Sequence, residues 1–125
     1  MKKVIKTHLP GEDAPLEWAV SADGIMYTAQ IPIREDGTIE TGNIDAQAEL
    51  TFSNLKRTLI AAGGSLDDVT QVLIYLTNKE DFQGMNAVYR RYFSKPFPNR
   101  ATVIVAGLMV PGATIEIVVY AHIKT

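Results

Sequence analysis

The sequence predicts an α+β domain in which two helices pack on one face of a mixed β-sheet. Three observations lead to this prediction. Strand-like and helix-like segments follow one another in the order β-β-α-β-α-β-β. Only two segments show the spacing of an amphipathic helix. The chain has 125 residues, which suits one domain, and no repeat or linker-like stretch divides it. We therefore expect a single domain over residues 1–125.

The first two strands are predicted at about Glu17–Ser21 and Ile25–Ile33. An acidic turn, Arg34–Gly37, follows the second strand. Gly37 supplies the positive φ that such a turn often needs. These segments place two neighbouring strands before the first helical sequence.

The first helix is predicted over Asn43–Ala62, where apolar residues recur at helical spacing without proline or internal glycine. Gly63 and Gly64 follow it, as expected for a helix that ends in a left-handed cap. Val69–Leu76 is apolar and β-branched, which favours a buried strand.

The second helix is predicted to begin at Asn78, with Asp81 three residues on as a variant of the capping box. Its apolar stripe has the spacing of core residues, and we do not interpret it as a cofactor site; it consists of Phe82, Met85, Tyr89 and Phe93. Pro96 and Pro98 stop the helix. The last two strands are predicted at Ala101–Val105 and Thr114–Ile123.

The apolar content of the predicted strands exceeds what two helices can cover. In the last strand Ile117 and Val119 point to one face, and Val118 and Tyr120 point to the other. A sheet with one face in water should alternate apolar and polar residues instead. We therefore expect a homo-oligomer in which the second faces of the sheets pack together.

Composition excludes several classes of function. Twelve basic and fourteen acidic residues leave a net charge of -2, so no basic excess is available to bind nucleic acid or a membrane surface. The chain has no cysteine, and its two histidines, His8 and His122, lack metal-ligand spacing, so we expect no metal site. With no signal peptide pattern and no membrane-length apolar run, we expect a cytoplasmic protein.

Two charges stand alone near the C-terminus. Between Lys95 and Lys124 the only formally charged residues are Arg100 and Glu116. An isolated charge in an apolar setting is costly unless it is paired or used. Arg100 offers a planar fork of donors that matches a carboxylate, and Glu116 could orient a water or move a proton. The alternative is that the two form a buried ion pair or an inter-subunit bridge, and spacing alone does not separate these readings.

These residues also carry a resemblance that covers nearly the whole chain. The sequence resembles the RidA family, also called YjgF-like or endoribonuclease L-PSP-like proteins. The matching segments are Gln30-Ile31-Pro32, Ala46-Gln47-Ala48, Asn54-Leu55, Ala62-Gly63-Gly64, Asp68-Val69, Met85-Asn86, Tyr89, Tyr92-Phe93, Pro98-Asn99-Arg100-Ala101 and Ile115-Glu116-Ile117. The last two are the most specific of these.

The resemblance implies a chorismate mutase-like fold, assembled as a homotrimer with a central barrel and with ligand sites in the clefts between subunits. It implies that Arg100 binds the carboxylate of a 2-imino or 2-enamino acid and that Glu116 positions the hydrolytic water. Asn86, Thr28 and Thr102 are expected to shape the pocket. The implied reaction releases ammonia and a 2-keto acid and needs no metal or organic cofactor.

The chain departs from the family pattern at two places in the implied substrate site. Leu16 stands where many deaminating members have a tyrosine, and Thr28-Ala29 replaces the usual Ser-Gly. The leading prediction is an imine deaminase acting on small carboxylate-bearing metabolites. The alternative is a non-catalytic module that binds 2-keto acids and regulates. A ribonuclease or translation inhibitor is disfavoured, because the chain is slightly acidic and lacks a basic and aromatic groove.

Overall fold

A computed structural model describes residues 1–11 and 13–123 of the chain. Within them, six strands form one sheet and two α-helices lie between strands in sequence. The elements are β1 (Lys3–Val4), β2 (Ala19–Ala22), β3 (Ile25–Gln30), α1 (Ile44–Ala61), β4 (Val69–Leu76), α2 (Phe82–Tyr92), β5 (Asn99–Ile104) and β6 (Ile115–His122). The predicted α+β class with two helices on a mixed sheet is confirmed.

The strand order in the sheet is β1-β2-β3-β6-β4-β5. Neighbouring strands are antiparallel except β4 and β5, which are parallel and are joined through α2. The last strand in sequence, β6, lies between β3 and β4. The centre of the sheet is therefore built from residues that are far apart in the chain. The strands β1 and β5 form opposite edges.

The helices cover one face of the sheet. Phe52 and Leu55 of α1 and Met85 of α2 are fully buried against Val72 and Ile117 of the central strands. Asn43 caps α1 by accepting a hydrogen bond from the backbone N–H of Ala46 at 3.0 Å. After the helix, Gly63 has φ +87°, the left-handed conformation that the sequence predicts there.

The boundaries of several elements differ from the predictions for local physical reasons. Strand β3 ends at Gln30 rather than Ile33, since Pro32 has no N–H for a ladder hydrogen bond. The second helix begins at Phe82 rather than Asn78; a 3₁₀ turn, Lys79–Asp81, precedes it and the Asn78 side chain makes no capping hydrogen bond. The edge strand β1 was not predicted, because two residues are too few for a period.

The opposite face of the sheet has no cover within the described chain. This uncovered sheet face carries apolar side chains on the four strands β3 to β6, among them Ile25, Tyr27, Leu73, Tyr75, Val103, Val118 and Tyr120. Tyr27 is 40% exposed and Val103 is 46% exposed. Isolated soluble domains rarely leave such a contiguous apolar surface in water.

Within residues 1–11 and 13–123, no helix combines the length and the apolar character that crossing a membrane requires.

Candidate functional site

Arg100 enters the site from the edge strand β5. It follows the rigid segment Phe97-Pro98 and pairs in register with Val72, which points into the helix-covered face. The Arg100 side chain therefore lies on the helix side of the sheet, at its edge, and is half-buried. Its guanidinium carbon is 4.7 Å from the ring centroid of Tyr89 and 5.9 Å from that of Phe82.

Among the described residues, Arg100 has no acidic partner. The ion pairs of this part of the chain join Arg34 to Glu40, Arg57 to Glu35 and Arg91 to Glu49. The guanidinium carries a positive charge and five N–H donors with no acceptor. The site around Arg100 is therefore positive and suited to an anionic ligand.

A cavity of about 200 Å³ opens beside Arg100. It is lined by Asn86, Tyr89, Arg90, Phe97, Pro98 and Arg100. Phe82, Asn86 and Tyr89 are spaced four and three residues apart, so they share the face of α2 that looks toward Arg100. The cavity thus combines a fixed cation, an amide that can donate and accept, and aromatic walls.

Two buried hydroxyls near this cavity have no hydrogen-bond partner among the described residues. They are Oη of Tyr89 and Oγ1 of Thr102. Thr102 lies two residues after Arg100 on the same strand and so on the same face. Burial raises the pKa of Tyr89, an effect that the positive charge of Arg100 opposes. The Tyr89 hydroxyl therefore stays protonated and able to donate at neutral pH.

Glu116 lies on the other face of the sheet. It pairs with Tyr75 on the uncovered sheet face, whereas Arg100 is in register with Val72 and, through it, with Val119 on the helix side. The sheet itself separates the two charges, so an ion pair between them within one chain is wrong. Burial raises the pKa of the Glu116 carboxyl, which is half-buried.

The remaining predicted site residues lie away from Arg100 in the same chain. Thr28 is in register with Val119, three strands from Arg100, which is roughly 14 Å across the sheet. Its hydroxyl donates to the backbone oxygen of Trp18 at 2.5 Å and accepts from Nε2 of Gln30 at 3.0 Å. Thr28 is therefore tied into the fold.

Ala29 and Leu16 complete this second group. Ala29 points to the uncovered sheet face, where it pairs with Val118, close to Glu116. Leu16 is 57% exposed in the loop before β2, near the β1 edge of the sheet. One chain therefore holds Arg100, Asn86 and Thr102 together at one edge, and holds Glu116, Ala29 and Leu16 elsewhere.

Metal-binding geometry is not found among residues 1–11 and 13–123. No group of three or more His, Asp or Glu side chains there converges on a common point. His8 instead has its Nε2 atom 3.1 Å from Oδ1 of Asn54, and His122 is exposed at the end of β6.

Sequence reasoning missed the aromatic side chains that face Arg100. The spacing of Phe82 and Tyr89 predicts core residues. Tyr89 is buried, at 4% exposure, but also lines the cavity; Phe82 is 40% exposed and lies over the guanidinium. The available signal was the spacing of Asn86 between them, which puts an amide and two rings on one helix face.

Comparison with known proteins identifies the chain's relatives. The family model described as Endoribonuclease L-PSP matches residues 7–123. The 3-aminoacrylate deaminase RutC of Acinetobacter baylyi is 39% identical over 112 residues, covering 88% of this chain and 88% of that protein. The 2-iminobutanoate/2-iminopropanoate deaminase of Dermatophagoides farinae is 36% identical over 110 residues, covering 86% of each chain.

A solved structure shows the same architecture. The crystal structure of E. coli TdcF with bound serine superposes with a TM-score of 0.87 at 30% identity, covering 98% of this chain and 99% of that one. That protein therefore shares the fold over nearly its whole length, and its structure contains a small molecule.

Proposed function

The chain belongs to the endoribonuclease L-PSP family, also called the RidA or YjgF family, and on that premise we propose that it hydrolyses small 2-imino and 2-enamino acids without a cofactor. The products are ammonia and the corresponding 2-keto acid. One relative is named as a deaminase of 2-imino acids, and a second is named as a deaminase of 3-aminoacrylate, an enamino acid with its nitrogen on C3; both names support deamination of a small carboxylate-bearing imine or enamine.

The observation that carries this proposal is the state of Arg100. Its guanidinium lies on aromatic faces beside a cavity of about 200 Å³ and, among the described residues, has no carboxylate partner. A planar fork of donors in such a place matches the carboxylate that every 2-imino acid carries. Asn86 is close enough to the same cavity to contact the imine nitrogen or the carboxylate.

The reaction requires accurate positioning of the substrate and the attacking water more than strong activation of either. Water adds to the C=N carbon, the resulting carbinolamine loses its C–N bond, and ammonia leaves as the C=O bond forms. Arg100 holds the carboxylate and so fixes the carbon that water attacks. Glu116 takes a proton from that water and returns it to the departing nitrogen. Its raised pKa suits a group that must carry a proton in one step and release it in another.

We propose that these residues meet between subunits of a homotrimer. Arg100 lies at the β5 edge, while Leu16 and Ala29 lie toward the opposite edge and Glu116 lies on the uncovered sheet face. Residues at two different places on one chain can form one site when different surface patches of neighbouring chains meet, and a head-to-tail contact of this kind gives a ring where its rotation closes. Packing three uncovered sheet faces around an axis would also remove the apolar surface from water.

Assembly can be tested by placing a charge on the uncovered sheet face. We expect the wild-type protein to sediment at three times the chain mass and Val103→Asp to sediment as a single chain, because a buried carboxylate without a partner strongly opposes association. Ile60→Asp is the matched control: Ile60 is 61% exposed on α1, away from that face, and its variant should stay assembled. A single-chain wild type, or a trimeric Val103→Asp variant, contradicts the proposed assembly.

The activity itself is tested with imines made in place. An amino-acid oxidase acting on alanine or a bulkier amino acid releases the 2-imino acid, and the 2-keto acid is followed as it forms. We expect the protein to raise the rate of keto acid formation above that of spontaneous hydrolysis. Equal rates with and without the protein, across small and bulky imines, exclude the proposed enzyme.

A second candidate function is a binding module that senses 2-keto acids without turnover. The observation that favours it is Leu16, an exposed apolar residue where many deaminating members carry a tyrosine. Calorimetric titration separates the two functions: binding of a 2-keto acid together with no imine hydrolysis favours the module, and hydrolysis favours the enzyme.

A further inference from the structure

Arg100 is held by aromatic rings rather than by an acid. A buried or half-buried arginine ordinarily needs a carboxylate partner, which neutralises its charge and occupies its N–H donors. Here the guanidinium carbon lies 4.7 Å from the ring centroid of Tyr89, within the range of a cation–π contact. An aromatic ring offers no carboxylate oxygen, so this contact does not occupy the N–H donors of Arg100 in the way that an ion pair would.

The Tyr89 ring is itself fixed by the core. It lies 4.6 Å from the Phe93 ring at a tilt of 32°, and 5.8 Å from the Phe52 ring in an edge-to-face contact. Phe52 is fully buried and Phe93 is 5% exposed. The orientation of the surface under Arg100 is therefore set by the hydrophobic core and not by a mobile side chain.

We propose that Tyr89 is the positioning residue of this site: its ring face holds the Arg100 guanidinium in place with all of its edge donors available to a ligand carboxylate. This inference rests on the proposed function in that it requires a carboxylate ligand at Arg100, but it does not require turnover. Tyr89 acts through Arg100 and takes no part in proton transfer.

Phe82 contributes less to this arrangement. Its centroid is 5.9 Å from the guanidinium carbon, near the limit of a cation–π contact, and its side chain is 40% exposed. Water competes at that position, whereas Tyr89 is 4% exposed. The Tyr89 ring therefore contributes more than the Phe82 ring to holding the Arg100 guanidinium.

The test distinguishes the contribution of the Tyr89 ring to ligand binding from that of its hydroxyl and from a general effect of core packing. The probe is 2-oxobutanoate, a stable carboxylate that needs no turnover, and the measurement is its Kd by calorimetry. Tyr89→Phe keeps the ring and should bind within about threefold of wild type, while Tyr89→Leu should weaken binding by about tenfold or more. Phe82→Leu should weaken binding less than Tyr89→Leu does, because Phe82 is more exposed and its ring is farther from the guanidinium.

Two further variants remove the alternative that Tyr89 is merely structural. Val88→Ala shortens a neighbouring, fully buried residue of α2 and should lower thermal stability without changing the Kd. Pentafluorophenylalanine at position 89 keeps the size of phenylalanine but reverses the charge on the ring face. This variant should therefore bind 2-oxobutanoate more weakly than Tyr89→Phe does. It provides the test if Tyr89→Leu fails to fold.

The outcomes distinguish this inference from the proposed function. Binding of 2-oxobutanoate that weakens on ring removal, together with no imine hydrolysis, rejects the enzyme and keeps the role of Tyr89. Equal affinity for the Phe and pentafluorophenylalanine variants, equal weakening by Val88→Ala and Tyr89→Leu, or no binding of 2-oxobutanoate to the wild type each overturns the inference.

Discussion

Arg100→Ala is expected to lower kcat/KM for imine hydrolysis by about 100-fold or more, and to weaken 2-keto acid binding to a similar extent. Removing one partner of a desolvated charge pair costs about 2–5 kcal/mol, and each 1.4 kcal/mol corresponds to a factor of ten. The loss should fall on both binding and rate, because the carboxylate contact also fixes the carbon that water attacks. Steady-state kinetics with imines of two sizes, together with calorimetry, measures both effects.

Arg100→Lys is the matched control for charge without shape. It keeps one positive charge but loses the planar fork and much of the contact with the Tyr89 ring, so its activity should lie between those of wild type and Arg100→Ala. Neither variant breaks an ion pair with another described residue, so the loss of activity should exceed any loss of stability that comes from the weakened ring contacts. Unchanged kcat/KM in Arg100→Ala would falsify the assignment of the carboxylate site.

Much of the fold was predictable because its signals are local. The helix α1 has a continuous apolar stripe, an asparagine cap and a glycine stop, and its predicted limits differ from the observed ones by one residue at each end. Strand β4 was predicted with the observed limits, since its β-branched run has no competing helical spacing. The two-residue strand β1 forms only because β2 is already in place beside it.

The candidate site residues can be proposed from the sequence one by one, but their arrangement cannot. Scarcity of charge singled out Arg100 and Glu116 from the sequence. Their separation by the sheet follows from the register of β5 and β6 on β4, which involves pairings between residues tens of positions apart. A shift of one residue in either strand would reverse the face, and no local pattern fixes it. Spacing alone therefore leaves an ion pair between the two charges open, and the register excludes it within one chain.

The contact between Tyr89 and Arg100 cannot be predicted from the sequence for a different reason. Its spacing from Phe82 and Phe93 is that of a core stripe, and it does lie in the core. A ring has two faces and an edge, and only the position of β5 beside α2 decides that one of these meets Arg100. Periodicity reports that a residue is buried, but not what it is buried against.

Glu116→Gln is expected to lower kcat by about 100-fold or more, with a smaller change in KM, because general acid–base catalysis contributes about 10²–10⁴ to rate. In the wild type, activity should rise with pH as the carboxyl of Glu116 loses its proton. Burial raises the pKa of that carboxyl, so the rise should lie above the ordinary range of a glutamate. The variant should lose this limb of the pH profile, and rates of keto acid formation across the acidic range measure it.

The stability of the protein should depend on the same Glu116 carboxyl, but it should fall as pH rises, whereas activity should increase. Because the folded-state pKa of Glu116 is raised, the folded protein binds more protons than the unfolded chain between the two pKa values. The contribution of this carboxyl to the free energy of unfolding is therefore fully present below its pKa in the unfolded chain. That contribution is lost as pH rises through its pKa in the folded protein. Glu116→Gln cannot ionise, so its melting temperature should fall less over that interval. A variant with wild-type kcat and an unchanged acidic limb would mean that another group handles the water, whereas a lost limb with the expected stability change ties both effects to one carboxyl.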